Sequence, residues 1–434
     1  MRRVTGIFLT LLLAVTLASC GGAEGPGSGT DGDEPTEDQP GGQPEGQPGK
    51  LTVDAAGAAW VAYRGGEGAW QVLAAGGADE RTVLEPDNPE GRYGVAYVCA
   101  DEEGEVTVRF TYAVLAERPA LTARCGANDD AEVEFYALSG TLSGLSEGEA
   151  GFVYGAFSED RVSADDANYR LAGLGEGEYD LVATAQNAFE SGAAAAPPSR
   201  MLIRSGVSVE GDRTLDLDLA RATPTTSQKV TVEAVPAETQ LSGNVSLLTE
   251  RGTRAELGAF SAEGVQPSLS FDYAALPVET PAGFSYRLLL ESFSEDEAGE
   301  RLSRSLARTF ETPDNFTLSL PDPLGAVEVA PEEGRLTTSW RAYGEDADYG
   351  LSFEGQGGEE EAETRYLITL DAAWLPDSEE MSHTLPDFSK LEGWDEAWNL
   401  SADPFWRLSA HVEREGDVTV SRSSALATEE ISED

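Results

Sequence analysis

Residues 168–183 read NYRLAGLGEGEYDLVA, and the spacing of the apolar side chains in this stretch decides the fold class. Tyr169 and Leu171 stand two positions apart before a glycine-rich turn, and Tyr179 and Leu181 repeat that spacing after it. A period of two residues is typical of a β-strand with one buried face. Glycines between two such runs favour a tight turn. We therefore predict two strands in which Tyr179 and Leu181 face the same core.

The same pattern continues along the chain from Leu51. Short runs rich in Val, Thr and aromatic residues alternate with clusters of Gly, Asp, Asn and Pro, which is typical of strands and turns. No long stretch has helical spacing, and the best candidate for a short helix lies near residues 394–400. The sequence therefore predicts an all-β protein.

A strand that begins with a turn glycine and a tyrosine recurs at Tyr93, Tyr179 and Tyr286, at intervals of very roughly 100 residues. This repeat, together with breaks in composition, predicts tandem β-sandwich modules. We place a first module at 51–130, a second at 131–222, a third at 228–323 and a fourth at 324–427, followed by an acidic tail at 428–434.

The second module resembles the carboxypeptidase regulatory-like (transthyretin-like) β-sandwich. Residues 169–181 match the Y-x-L-x-G-L-x-x-G-x-Y-x-L pattern that marks two strands and their turn in that family. The resemblance implies a structural module with no catalytic residues, of a kind that usually decorates secreted or surface proteins. The other three modules are similar to immunoglobulin and fibronectin type III sandwiches in length and rhythm.

The amino terminus has the features of an export signal. Arg2 and Arg3 precede an apolar run at 7–17, which is too short to span a bilayer. The exit Leu17-Ala18-Ser19-Cys20 resembles the lipobox of bacterial lipoproteins. The resemblance implies removal of residues 1–19, a diacylglyceryl group on the Cys20 sulfur and an acylated amine, and so a membrane-anchored protein facing the periplasm or the cell surface. Gly21 favours the outer membrane in a diderm cell. The alternative is an ordinary secretory signal with an incidental cysteine.

A low-complexity segment follows at residues 20–50. Between Gly21 and Lys50 it holds 10 Gly, 5 Pro and 7 acidic residues, and it has no aromatic side chain. Such a composition buries too little apolar surface to offset the entropy of ordering. We predict a disordered acidic tether.

Two cysteines remain if Cys20 carries lipid. Cys99 and Cys125 lie in the same predicted module of an exported chain, which predicts a disulfide. The alternative is a pair of separate buried thiols.

The charge balance excludes several classes of function. Lys and Arg number 29 against 79 Asp and Glu, for a formal net charge of −50. Nucleic acids and anionic lipid surfaces require clustered cations, so we predict neither as an electrostatic partner. Two His and three Cys leave no HExxH or four-cysteine zinc site, and we predict no metal and no cofactor. The acidity predicts a solvated coat, with loose binding of divalent cations as the alternative.

His383 and His411 are the only candidate imidazole bases. No recognisable nucleophile accompanies either of them. Ser146 lies in a G-x-S-x-G match, but the residues after it read as a strand, whereas a nucleophile elbow requires a helix there. We predict that the protein is not an enzyme, with a hydrolase that uses either histidine and carboxylates as an alternative.

Tryptophans concentrate near the carboxyl end. Five of the seven lie beyond position 339: Trp340, Trp374, Trp394, Trp398 and Trp406. Trp394 and Trp398 have the spacing of one helical face. Exposed aromatic side chains bind sugars and partner proteins, so Trp394, Trp398 and Trp406 are candidate ligand-binding residues. The alternative is that they fill the core of the fourth module.

These observations predict a lipid-anchored envelope protein with a non-catalytic structural, adhesive or binding role. Its expected partners are the membrane, through the lipid, and either an envelope protein or a carbohydrate. A surface receptor that binds carbohydrate or protein through the aromatic cluster of the fourth module is the alternative.

Overall fold

The computed structural model describes residues 49–75, 81–100, 105–122, 125, 134–187, 196–233, 235–236, 239–264, 268–277, 280–332, 335–344, 346–355, 364–400, 404–413 and 417–425. Within these ranges the chain forms thirty β-strands and three 3₁₀ helices of three residues each, so the all-β prediction is confirmed. None of the helices among these residues is long and apolar enough to cross a membrane. The predicted signal peptide, Cys20 and nearly all of the tether lie outside the described residues.

The first module has seven strands: β1 (Leu51–Asp54), β2 (Trp60–Gly65), β3 (Gln71–Ala75), β4 (Thr82–Leu84), β5 (Arg92–Ala100), β6 (Val106–Val114) and β7 (Ala120–Thr122). A small sheet has the order β4-β1-β7, and the other four strands pair antiparallel in the order β6-β5-β2-β3. The run Trp60-Val61-Ala62-Tyr63 in β2 is buried at every position. A strand buried on both faces reads as a continuous apolar run rather than an alternation.

The second module has nine strands: β8 (Tyr136–Ser143), β9 (Glu149–Tyr154), β10 (Glu159–Ser163), β11 (Asn168–Leu174), β12 (Gly177–Asn187), β13 (Arg200–Val209), β14 (Arg213–Thr214), β15 (Leu217–Asp218) and β16 (Thr223–Pro224). One sheet has the order β10-β9-β12-β13-β16, and β11, β14 and β15 pair with β8 in the other. A 3₁₀ helix occupies Leu219–Arg221. The quoted stretch forms β11 and β12, which belong to opposite sheets. Leu171 and Leu181 are buried in the core between these sheets, and Tyr179 packs against it half-buried.

The third module has seven strands: β17 (Thr226–Glu233), β18 (Gln240–Leu248), β19 (Arg254–Glu263), β20 (Ser268–Ala275), β21 (Ser285–Glu295), β22 (Arg301–Phe310) and β23 (Phe316–Ser319). The orders are β20-β17-β23 and β19-β18-β21-β22. Their shared core also takes in Tyr154, Val182 and Met201 from the second module. The two modules therefore pack through apolar side chains.

The fourth module has seven strands: β24 (Val327–Glu332), β25 (Arg335–Arg341), β26 (Asp348–Glu354), β27 (Thr364–Leu370), β28 (Glu380–Thr384), β29 (Phe405–Glu413) and β30 (Asp417–Ala425). The orders are β24-β25-β28 and β27-β26-β29-β30. Two 3₁₀ helices lie at Ala372–Trp374 and Glu396–Trp398. The second of these falls within the segment predicted to hold a short helix.

Three of the modules share one continuous twelve-stranded sheet. The antiparallel pair β22–β30 joins the third module to the fourth. The parallel pair β6–β27, which runs from Val106↔Thr364 to Tyr112↔Leu370, joins the first module to the fourth. The earliest and latest modules of the chain are therefore neighbours in one sheet. The ends of the four modules stay predictions.

The first and fourth modules also share one hydrophobic core. It contains Trp60, Val108 and Phe110 from the first module together with Ile368 and Trp406 from the fourth. The opposite face of β2 and β5 packs against the small sheet that contains β1. This second core explains why those strands are apolar on both faces.

Candidate functional site

A cluster of aromatic rings fills the contact between the first and fourth modules, and we call it the aromatic seam. Its members are Trp60, Trp70, Phe110, Tyr112, Trp374, Phe388, Trp394 and Trp398. Phe388 is the centre. Its ring centroid lies 5.0 Å from that of Trp60, 5.2 Å from Trp70, 5.8 Å from Phe110 and 5.1 Å from Trp394.

The covering segment, residues 385–400 between β28 and β29, carries three of these rings. Consecutive turns hold its backbone: Leu391 N donates to Phe388 O at 2.8 Å, and Trp398 N donates to Asp395 O at 3.0 Å. The carboxylate of Asp395 also accepts from Ala397 N at 2.9 Å, which caps the 3₁₀ helix. These turns place Phe388 against the first module.

Trp394 and Trp398 meet edge to face with their centroids 5.3 Å apart. Both rings are half-buried, and Trp394 Nε1 donates to Asn399 Oδ1 at 3.1 Å. Only Trp398 belongs to the 3₁₀ helix, so the rings meet from successive turns rather than from one helical face. Trp406 lies on β29 and is only 5% exposed, within the core. The binding role of all three stays a prediction.

Arg64 lies near the end of β2 and packs against three rings of the aromatic seam. Its guanidinium carbon is 5.0 Å from the ring centroid of Tyr112, 5.3 Å from that of Trp70 and 5.4 Å from that of Trp374. A cation over several aromatic faces is stabilised by their quadrupoles. Sequence reasoning missed this arrangement, because nothing in a single arginine indicates which rings will surround it.

His383 also packs against Tyr112, with ring centroids 5.0 Å apart. Its Nε2 is buried and has no hydrogen-bond partner among the described residues. Burial, and then the nearby Arg64, lower the pKa of His383 to about 3. A general base at neutral pH needs a pKa near the working pH, so the imidazole here is a neutral packing group.

His411 lies on β29, where its Nδ1 is 3.1 Å from Thr419 Oγ1. It lines an acidic cleft of about 350 Å³ together with Glu117, Asp346, Asp348, Ala372, Ala373 and Glu413. The carboxylate of Asp348 accepts a hydrogen bond from Ala372 N at 2.7 Å. No group of three or more His, Cys, Asp or Glu side chains among the described residues is arranged to hold a metal ion.

Asp371 lies buried close to this cleft, at 4% exposure. Burial raises its pKa to about 6. Arg118, whose Nη2 is 3.3 Å from Asp371 Oδ1, lowers the pKa, and Asp348 and Glu117 raise it again. The cost of burial outweighs the one ion pair, so this carboxyl group titrates close to neutrality. Ser146, by contrast, lies in the turn between β8 and β9 and not in a nucleophile elbow.

Cys99 and Cys125 form the predicted disulfide, with Cα atoms 5.0 Å apart. It links the end of β5 to the chain that follows β7, where Cys125 N donates to Ala56 O at 3.3 Å. Both cysteines pack into the second core of the first module.

No protein-family model matches this chain, and the search of curated proteins found no match. Among solved structures, the chain is similar to a proposed adhesin from Bacteroides ovatus at 11% identity and a TM-score of 0.17, over 47% of this chain and 95% of that one. We draw no conclusion about this chain from a similarity of that size.

Proposed function

We propose that this protein is an exported, lipid-anchored envelope protein that binds a partner without catalysing a reaction. The observation that carries export is the Cys99–Cys125 disulfide. Disulfides form and persist in oxidising compartments and are rare in the cytosol. The Leu17–Cys20 motif supplies the expected attachment point for lipid.

The placement of the reactive side chains supports a non-catalytic role. His383 is a neutral group packed against Tyr112, and the ring of His411 lies within hydrogen-bond distance of the hydroxyl group of Thr419. The rings of the aromatic seam join two modules.

We also propose that the second module is a carboxypeptidase regulatory-like sandwich. Residues 169–181 supply strands to both of its sheets, and Leu171 and Leu181 meet in the core between them. The family pattern implies two strands joined by a turn, so this arrangement supports the proposal.

The Cys20→Ala variant tests the anchor. We expect wild-type protein in the membrane fraction and the variant in the soluble fraction, because two or more acyl chains anchor a protein stably. A Cys99→Ser/Cys125→Ser variant is the matched control, since it should lose the disulfide and keep the membrane attachment. Retention of Cys20→Ala in the membrane would refute the lipid anchor.

A receptor that uses the aromatic seam is the second candidate, because Trp394 and Trp398 stay half-exposed. Affinity electrophoresis through gels that contain soluble polysaccharides tests it. Retardation of the wild type that Trp398→Ala abolishes and that Trp340→Phe, a change in the core, preserves would support a sugar site here. Equal mobility in every gel would remove it.

A further inference from the structure

The end of the second module presents an unusual pair of exposed aromatic side chains. Phe157 is 92% exposed and Phe135 is 67% exposed. Exposed apolar side chains that lie at the same end of a module can mark an interaction site. Neither ring belongs to any hydrophobic core of the described chain.

Phe157 lies in the turn between β9 and β10, and this turn is fastened to β11. Gly155 N donates to Ser158 O at 2.7 Å, and Ala172 N donates to Ser158 Oγ at 3.3 Å. A side chain at Gly155 would stand 3.1 Å from Leu171 Cδ1, so the base of the turn lies directly on β11. Hydrogen bonds therefore fix the turn that carries the exposed ring of Phe157.

Phe135 lies at the same end of the module. It immediately precedes β8, whose first residue, Tyr136, pairs with Leu174 at the end of β11. The two exposed phenylalanines thus flank the final residues of one strand. We call this surface the phenyl patch.

The segments that carry the phenyl patch are rich in carboxylates. Tyr136 OH donates to Glu134 at 2.7 Å, and Glu176 and Asp212 lie within electrostatic range of the same hydroxyl group. Glu159 and Asp160 lie two and three positions after Phe157. The residues at 134–136, 155–160 and 172–177 include no Lys or Arg, although Arg161 and Arg170 lie close by in the sequence, on β10 and β11.

We propose that the phenyl patch docks a protein segment in which apolar side chains stand beside Lys or Arg. The phenyl rings provide the apolar contact, and the carboxylates of these segments attract the cations and disfavour acidic partners. The patch would serve the binding role proposed above, but it does not depend on the lipid anchor.

The test uses the full chain carrying Cys20→Ala, purified without detergent and panned against a library of random twelve-residue peptides. We expect the retained peptides to be enriched in Lys and Arg next to aromatic or aliphatic residues. A synthetic copy of one such peptide should bind about tenfold more weakly to Phe157→Ser, as loss of a central aromatic contact predicts. Its binding should also weaken as salt rises from about 0.05 M to about 0.5 M.

Phe293→Ser is the matched control, because Phe293 is 41% exposed but lies in the third module. It should leave the affinity unchanged, and Phe157→Ser should leave the unfolding midpoint unchanged because its ring contacts so little. Peptides without cationic enrichment, or equal binding to Phe135→Ser/Phe157→Ser, would overturn the proposal. So would self-association or attachment to phosphatidylcholine vesicles that Phe157→Ser abolishes, because the occupant would then be a second copy or a lipid. None of these outcomes depends on whether Cys20 carries lipid.

Discussion

The indole N–H of Trp60 donates a hydrogen bond to the backbone carbonyl of Glu392, 3.0 Å away and 332 positions later in the chain. The phenolic hydroxyl of Tyr366 makes a similar bond to Trp398 O at 2.9 Å. Both bonds hold the covering segment over the joint between the first and fourth modules. The aromatic seam is therefore fixed by directional bonds as well as by ring packing.

Replacement of Phe388 by Ala should be among the most destabilising single changes. Phe388 is 3% exposed and touches rings from both modules, so truncation leaves a cavity that costs about 3–5 kcal/mol. Urea unfolding followed by tryptophan fluorescence measures this loss. Phe157→Ala is the control, with a change near zero expected for its exposed ring. A loss of unfolding free energy for Phe388→Ala no larger than that for Phe157→Ala would show that the contact between the two modules tolerates a cavity at this position.

Asp180 should dominate the contact between the second and third modules. It is fully buried, and its Oδ1 accepts from Arg251 Nη1 and from Gly206 N, each at 3.1 Å. Asp180→Ala leaves the Gly206 N–H without its acceptor and removes one of the acidic partners of Arg251, so it should cost about 1–3 kcal/mol in unfolding free energy. Glu178→Ala is the control, since Glu178 contacts the same arginine while 63% exposed, and it should cost less than about 1 kcal/mol. Similar losses for the two variants would contradict this view.

His383 should make the protein less stable in acid. Burial and Arg64 lower its pKa from 6.5 to about 3. Below the unfolded pKa, the unfolded chain therefore binds a proton that the folded protein excludes. The stability that His383 contributes is present above pH 6.5 and decreases with acidification, by up to about 2 kcal/mol at pH 5. In His383→Gln this decrease should disappear, as urea unfolding at pH 7.5 and pH 5 would show. An unchanged acid response in the variant would refute it.

Asp371 should have the opposite effect. Burial raises its pKa from 3.8 to about 6 against the opposing effect of Arg118, so the folded protein keeps a proton that the unfolded chain has released. Its contribution to stability is favourable near pH 4 and is lost as pH rises through 6. The stability of Asp371→Asn minus that of the wild type should increase by up to about 3 kcal/mol between pH 4 and pH 7. Asp377→Asn, at an exposed position, is the control and should show no such trend. A stability difference between Asp371→Asn and the wild type that stays constant from pH 4 to pH 7 would argue against the burial effect.

The disulfide should stabilise the first module through its closed loop. The two cysteines are 26 positions apart, and a loop of that length contributes about 3.5 kcal/mol in the chain-entropy model. Cys99→Ser/Cys125→Ser should unfold at correspondingly lower urea concentration, and the wild type should match it after reduction. Identical midpoints with and without reductant would mean that the bond adds no stability.

Strand content was predictable from sequence because it depends on local spacing. The apolar run at Trp60–Tyr63 indicates a strand, and it lies in β2. Nothing local, however, indicates which strand lies beside β6, since the partner β27 follows more than half the chain later. The spacing of Trp394 and Trp398 predicted that they lie close together, but nothing in the sequence indicated Phe388 or Trp60 as their neighbours. The titration of His383 likewise depends on burial that only the assembled joint creates.

The parallel pair β6–β27 also constrains how the protein is made. During synthesis, β6 emerges long before its neighbour exists, so the nascent chain carries an unpaired strand edge with a Val, Phe and Tyr face. Exposed edges of this kind template pairing between chains. The residues that precede β27 are already strongly acidic, so we expect repulsion between nascent copies to oppose that pairing until β27 arrives. We therefore expect the acidic residues to limit association between unfinished chains, in addition to their effect on the surface of the folded protein.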